Sequence, residues 1–108
     1  MAETLKGVFA ASMSVLKADL SLDVEATLHH SKTNLDDNGV GSAFFGSTGC
    51  GQLISVSEKK ELIDSLSNMK FKEQILIGPS CNSLRETVNI MKYAVQKGIK
   101  NFLVMKIY

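Results

Sequence analysis

Residues 42–58 read SAFFGSTGCGQLISVSE, which places a short apolar run, a glycine-rich turn and a helix start in that order. The apolar run at residues 42–46 predicts a strand that is buried on both faces, as strands of parallel sheets are. Ser55, followed three residues later by Glu58, forms the capping-box pattern that opens a helix. A strand, a turn and a helix in so short a span predict one β/α unit.

The same alternation is found upstream of this stretch. Residues 7–16 (GVFAASMSVL) are small and apolar, and they predict a first strand. Asp23 is a good helix N-cap, and Gly39 stands where glycine commonly ends a helix. The apolar face of that first helix is predicted to contain Val24, Leu28, Ser31 and Leu35. The second helix, which begins at Ser55, has its predicted face at Leu62, Ile63, Leu66 and Met69.

Downstream, the pattern repeats once more and then ends in a strand. Residues 74–78 (QILIG) predict the third strand, and Ser83 with Glu86 predicts another capped helix that Gly98 closes. The apolar face of this third helix is predicted at Leu84, Val88, Met91 and Val95. Residues 101–105 (NFLVM) predict a fourth strand. The order β-α-β-α-β-α-β predicts an α/β fold with a parallel sheet and right-handed crossovers, in a single domain over residues 1–108.

Composition excludes several classes of function. The chain has 12 Lys and Arg residues against 11 Asp and Glu residues, with no basic block that would indicate nucleic-acid binding. No apolar run approaches the length of a membrane span, and residues 1–7 lack the order of a signal peptide. Cys50 and Cys81 form no Cys-x-x-Cys or zinc-type spacing. We therefore expect a cytoplasmic protein with reduced thiols, no metal and no cofactor.

The candidate binding site is the glycine-rich turn, because ligands of parallel α/β folds bind beyond the carboxyl ends of the strands. Three loops lie at that edge, at residues 14–22, 46–54 and 79–83. In the second loop, glycines allow close backbone approach, and Ser47 and Thr48 add hydroxyl groups. The turn suits a small carboxylate or phosphate, although a plain tight turn would have the same composition. The candidate residues are Gly46, Ser47, Thr48 and Gly49.

Three stretches carry a resemblance to a known family. They are FFGSTG followed by SEKKELID, then GPSCNSLRETV, and the opening GVFAASMSVL with Leu22-Asp23 after it. In this order and spacing they resemble the dihydrodipicolinate synthase and N-acetylneuraminate lyase family over about residues 7 to 105. The resemblance implies the N-terminal, four-stranded half of a TIM barrel.

The resemblance also implies a chemistry. Members of the family are class I aldolases (carbon–carbon lyases) that act on 2-keto acids such as pyruvate through a Schiff base on a lysine of the sixth strand. Ser47 and Thr48 match the hydroxyl pair that binds the keto-acid carboxylate. The lysine, and the proton-relaying tyrosine of the fifth strand, match nothing here because the chain ends after its fourth strand. We therefore expect no catalytic residues, no aldolase activity, and at most weak binding of a small 2-keto acid.

Departures from the family pattern leave two alternatives open. Cys50 stands where the family commonly has glutamate, Ser14-Val15 where it has Thr-Pro, and Lys106-Ile107-Tyr108 near the family's Thr-Pro-Tyr-Tyr. An active lyase would have to build its site by oligomerisation, with Lys106 or Cys50 as nucleophile. A purely structural or interaction module is the other alternative. His29 and His30 fall in mid-helix and are expected to be a solvated pair.

A half-barrel is expected to associate with itself. Its sheet has two open edges and one face that the second half of a barrel would cover, and such surfaces drive association. The expected partner is a second copy, as a homodimer first and a tetramer next. An open, flavodoxin-like strand order is the alternative arrangement of the same elements.

Overall fold

Three β/α units follow one another in the computed structural model, which describes residues 7–46, 49, 51–69, 74–81 and 83–104. The elements in chain order are β1 (Phe9–Ala11), α1 (Val24–Asn38), β2 (Gly41–Phe44), a 3₁₀ turn (Gly51–Leu53), α2 (Val56–Leu66), β3 (Ile75–Ile77) and α3 (Leu84–Gln96). This order confirms the predicted α/β alternation.

The described sheet is parallel, and its strands lie in the order β1-β2-β3. Phe9 pairs with Gly41, and Ser42 pairs with Ile75. Each strand thus lies beside its neighbour in sequence, as in the first part of a barrel, and the sheet is open. The flavodoxin-like alternative was wrong, because it requires the chain to cross over to the other side of the first strand. Instead α2 contacts both α1 and α3, so the helices follow the strand order.

The predicted fourth strand is reduced to a single parallel bridge between Ile77 and Phe102. The amide of Ile77 donates to the Asn101 carbonyl at 3.1 Å, and the amide of Leu103 donates to the Ile77 carbonyl at 2.9 Å. This ladder starts a fourth strand beside β3. The end of the predicted strand, at residue 105, lies outside the described residues.

Helix boundaries follow the predicted caps. The Asp23 carboxylate accepts the Ala26 amide at 3.0 Å, and Gly39 ends α1 in the left-handed conformation at φ 65°. Ser55 and Glu58 form the complete capping box of α2, whereas at α3 the Ser83 hydroxyl accepts the Glu86 amide at 3.2 Å. The caps depend only on residues a few positions apart, which is why the sequence predicts them well.

The first strand is shorter than predicted. Strand β1 covers Phe9–Ala11, whereas the apolar stretch had predicted residues 7–16. The Ser12 amide still donates to the Ala43 carbonyl at 3.0 Å, but Leu16 forms an isolated antiparallel bridge with Leu22 instead. The apolar residues after β1 therefore belong to a loop that folds back on itself before α1.

The core lies between the sheet and the helix layer. Its fully buried apolar side chains include Phe44, Phe45, Leu62, Ile63, Leu66, Ile75, Ile77, Ile90, Ala94 and Ile99. The predicted face of α2 is confirmed at Leu62, Ile63 and Leu66. The predicted face of α3 was wrong, because Leu84, Val88 and Val95 are exposed and the buried residues are Thr87, Ile90 and Ala94. None of the helices in the described ranges has the length and apolarity needed to cross a bilayer.

Candidate functional site

The glycine-rich turn leaves the carboxyl end of β2, at the sheet edge where the sequence places the binding site. Gly46 and Gly49 are both described, and both are buried. Ser47, Thr48 and Cys50 lie outside the described residues, as does Lys106. The structure therefore places the glycines of the predicted site, while the positions of its hydroxyl groups remain a prediction.

The segment after β1 packs directly on this turn. The Ser14 hydroxyl donates to the Gly49 carbonyl at 2.5 Å. A Cβ atom at Gly49 would lie 2.6 Å from the Ser12 carbonyl oxygen, so only glycine allows this approach. The Ser12 hydroxyl is buried and makes no hydrogen bond within the described part of the chain. Gly49 of the turn and the segment after β1 are thus in direct contact at the carboxyl edge of the sheet.

The turn closes on its own first residue. The Gly51 amide donates to the Gly46 carbonyl at 3.1 Å. A Cβ atom at Gly51 would lie 2.0 Å from the Phe45 carbonyl oxygen, a distance that no side chain tolerates. This close approach explains the glycine at position 51 and packs the end of the turn against Phe45.

Phe45, the residue before the turn, has an unusual backbone. Its φ is +63°, in the left-handed region that costs a bulky residue about 1–2 kcal/mol. Its side chain is 2% exposed, and its ring lies 6.2 Å from the ring of Phe44. The left-handed residue ends β2 and turns the chain toward Gly46. Its burial is the packing that holds the strained conformation in place.

Lys59 of α2 is a buried lysine that the sequence analysis missed. Its Nζ atom donates to the Ser80 carbonyl at 3.0 Å and lies 5.7 Å from the centre of the Phe45 ring. Burial lowers the pKa of Lys59, and the nearby Cys81 thiol acts in the opposite direction. The stretch SEKKE resembles a solvated charged run. A signal was nevertheless present, because Lys59 lies three and four residues before Leu62 and Ile63 and so shares their buried face.

The other titratable candidates lie elsewhere. His29 and His30 are both exposed, which confirms the prediction of a solvated pair. His29 lines a groove of about 410 Å³ between α1 and α2, with Val24, Glu25, Leu28, Lys32, Ser65 and Met69. The described residues hold no cluster of three or more His, Cys, Asp or Glu side chains suited to a metal ion. Cys81 is a partly buried free thiol whose Sγ donates to the Ser83 carbonyl at 3.2 Å.

Comparison with known proteins agrees with this geometry. A sequence model of the dihydrodipicolinate synthetase family matches residues 4–108. A curated 4-hydroxy-tetrahydrodipicolinate synthase from Chlamydia trachomatis serovar D is 33% identical over 97 residues, covering 90% of this chain and 34% of that protein.

Solved structures give the same result for the fold. A putative dihydrodipicolinate synthetase from Pseudomonas aeruginosa superposes with a TM-score of 0.81 at 27% identity, covering 97% of this chain and 37% of its own. The Escherichia coli K12 prophage protein YagE, solved in complex with pyruvate, superposes with a TM-score of 0.74 at 26% identity, covering 94% and 36%.

The chain spans about a third of the length of these relatives, between 34% and 37% of each. Their matches run over nearly all of this chain, and the described elements follow the barrel's strand order. The predicted family is thereby confirmed. The chain belongs to the dihydrodipicolinate synthetase family.

Proposed function

We propose that this 108-residue chain, acting by itself, binds a small 2-keto acid such as pyruvate weakly and does not catalyse an aldol reaction. The observation that carries the proposal is the set of buried glycines at the carboxyl end of β2, of which Gly49 packs against the segment after β1. That edge of a parallel β/α sheet is where ligands bind. The solved complex of YagE with pyruvate supports a keto acid as the ligand.

The chemistry of the turn fits a carboxylate. Ser47 and Thr48 give the sequence of this turn two hydroxyl donors, and such groups suit a small anion. The lack of aldolase activity is proposed because the family's Schiff-base lysine and relay tyrosine belong to strands six and five, and only the elements through α3 and the start of a fourth strand are described. We also propose, as the sequence predicts, a single half-barrel unit over residues 1–108 and a cytoplasmic location.

Two measurements test this function. Pyruvate titrated into the protein should shift the amide resonances of Gly46 and Gly49 and raise the melting temperature by mass action. Thr48→Val should weaken this response, whereas Thr33→Val, which removes an exposed hydroxyl from α1, should not. An absence of any pyruvate response in the unmodified protein would contradict the proposal.

Borohydride trapping tests the absence of catalysis. Incubation with pyruvate and sodium borohydride should leave the intact mass unchanged, because no lysine forms a Schiff base. A reduced adduct mapped to Lys106, and lost in Lys106→Ala, would instead support the lyase alternative. Buried Lys59 offers no accessible amine, so it serves as an internal negative control in the peptide map.

We also propose that the chain associates with a second copy of itself. Large apolar side chains are exposed on β1's flanks at Val8 and Met13, and on α3 at Leu84, Val88 and Val95. In a complete barrel each helix lies between two others. Helix α3 contacts α2 on one side, and no further helix follows it among the described residues. In a two-fold dimer, this face would be covered by the same face of the second copy.

A further inference from the structure

The position of Lys59 is unfavourable for a positive charge. It lies in the first turns of α2, where the partial positive charge of a helix N-terminus disfavours cations. Its side chain has no exposed surface, and none of the carboxylates in the described ranges lies within ion-pair distance of its ammonium group. A buried cation without an acidic partner costs folding free energy. Such a residue needs contacts that a surface lysine would not make.

The contacts of Lys59 join the ends of two neighbouring strands. Its ammonium donates to the carbonyl of Ser80, which follows β3, and lies over the ring of Phe45, which follows β2. A cation near an aromatic face is attracted to it, more strongly where water is excluded. A single ammonium group on α2 therefore holds both strand ends at the edge where the turn begins.

Phe45 transmits this contact to the turn. Its left-handed backbone sets the direction in which the chain leaves β2. The Phe45 carbonyl packs against Gly51, and the next carbonyl, that of Gly46, accepts the Gly51 amide. A shift of the Phe45 ring therefore moves both ends of the turn. We propose that Lys59 is a positioning residue that fixes Phe45, and through Phe45 the described glycines of the turn, Gly46, Gly49 and Gly51.

The charge of Lys59 gives the proposal a pH signature. Burial lowers the pKa of Lys59, so its ammonium group loses its proton below the usual range of a lysine. The titratable group that faces it is the Cys81 thiol, from the segment between β3 and α3. The described parts of β2 and of the turn contribute no titratable side chain. The turn should therefore respond to alkaline pH even after both nearby thiols, Cys81 and the Cys50 of the turn itself, have been replaced by serine.

The test follows the amide resonances of Gly46, Gly49 and Gly51 in the full chain. In protein carrying Cys50→Ser and Cys81→Ser, these three amides should titrate together at alkaline pH, below the ordinary pKa of lysine. Adding Lys59→Met should abolish that titration and shift the three resonances. Lys92→Met, which removes an exposed lysine from α3, should change neither the titration nor the three glycine resonances. Lys59→Arg should keep resonances close to those of the unmodified protein, because its cation can still face the Phe45 ring.

Pyruvate binding gives a second readout, which rests on the proposed function. Lys59→Met should weaken binding about tenfold, as expected when a positioning contact is lost, and Lys59→Arg should restore most of it. A folded Lys59→Met protein with unchanged glycine resonances would overturn the inference. If that variant does not fold, the titration of the protein carrying Cys50→Ser and Cys81→Ser decides, and flat glycine resonances up to the ordinary lysine pKa would overturn the inference. Failure of the unmodified protein to bind pyruvate would instead refute the proposed function and leave the resonance test valid.

Discussion

Helices α2 and α3 begin in the same way but are buried differently. Each has a serine N-cap followed three residues later by glutamate, and each carries a regular set of aliphatic residues. In α2 the aliphatic residues Leu62, Ile63 and Leu66 are completely buried. In α3 the matching set is exposed, and Leu84 retains 79% of its surface. Helical periodicity alone therefore does not identify the buried face.

The difference follows from the neighbours of each helix. Helix α2 lies between α1 and α3, so its aliphatic stripe meets both the sheet and the adjoining helices. Helix α3 also contacts α2, but it buries Thr87, Ile90 and Ala94, and its larger aliphatic residues Leu84, Val88 and Val95 are exposed. Small and β-branched residues allow close helix packing, and the longer side chains of α3 remain available for a further neighbour. The exposed aliphatic stripe of α3 is thus an apolar surface of the kind that marks interaction sites.

The largest expected difference in the free energy of unfolding is between a leucine-to-alanine change in α2 and the same change in α3. Leu62→Ala, in the centre of the core, should lower the free energy of unfolding by about 2–5 kcal/mol, because it removes buried methyl groups and leaves a cavity. In the monomer, Leu84→Ala should cost less than about 0.5 kcal/mol, as expected for an exposed position. Urea unfolding measures both. Equal losses at a concentration where the chain is monomeric would mean that α3 packs differently and buries Leu84.

Association should depend on the α3 stripe. Sedimentation at low micromolar concentration should give a species heavier than the 11.7 kDa of one chain. Val88→Lys with Val95→Glu should return it to monomer, because charges at a buried interface are costly. Asn89→Lys with Gln96→Glu, on polar positions of the same helix, is the matched control and should not change the mass. A folded 11.7 kDa species in the unmodified protein would contradict self-association.

Replacing the two capping glutamates, Glu58 and Glu86, should change the free energy of unfolding by different but smaller amounts. Glu58 accepts the Ser55 amide and also the amide of Leu22 at the start of α1, and these bonds, the Leu22 amide first, lower the pKa of Glu58. Glu58→Gln should cost about 0.5–1 kcal/mol at neutral pH, a value reduced by solvent screening. Glu86→Gln, which has no such long-range bond among the described contacts, should cost less.

The pH dependence of this difference is fixed in sign. A carboxyl group whose pKa is lower in the folded protein stabilises it above the unfolded value of 4.5, and this contribution is lost as the pH falls further. The stability gap between the unmodified protein and Glu58→Gln should therefore close below about pH 4.5. A gap that persisted unchanged in acid would show that Glu58 acts through packing and not through its charge.

The smallest effect concerns the outer contact between α2 and α3. The Tyr93 hydroxyl donates to the Asp64 carboxylate, and Lys97 lies 3.5 Å from the same carboxylate. The bond to Asp64 raises the pKa of Tyr93. Tyr93→Phe should lower the melting temperature only slightly at neutral pH. The difference should disappear above about pH 10, because a raised folded pKa gives stability that is lost as the phenol ionises. A larger loss at alkaline pH would contradict this account.

Sequence analysis predicted the local features of the fold well. The caps at Asp23, Ser55 and Ser83 and the end of α1 at Gly39 are all observed. They could be predicted because each depends on hydrogen bonds between residues no more than four positions apart. The same holds for the site in part: its glycines are observed where the turn was placed, at the carboxyl end of β2.

The predictions that were wrong concern features that depend on contacts between segments distant in sequence. The exposed stripe of Leu84, Val88 and Val95, and the short β1, follow from which elements lie beside which. No local pattern reveals that a helix has a neighbour on one side and not on the other. The strand order was equally open until β1, β2 and β3 were seen paired in sequence order.

The sequence by itself determined the family, the alternation of strands and helices, and the location of the turn, because these depend on short motifs and on near-neighbour hydrogen bonding. Only the tertiary structure decided that Lys59 is buried against Phe45 and Ser80, and that Phe45 has a left-handed backbone. Burial is a property of the side chains that surround a residue after folding. A charged residue at a helical core position can be solvated or enclosed, and the packing of α2 on the ends of β2 and β3 encloses this one.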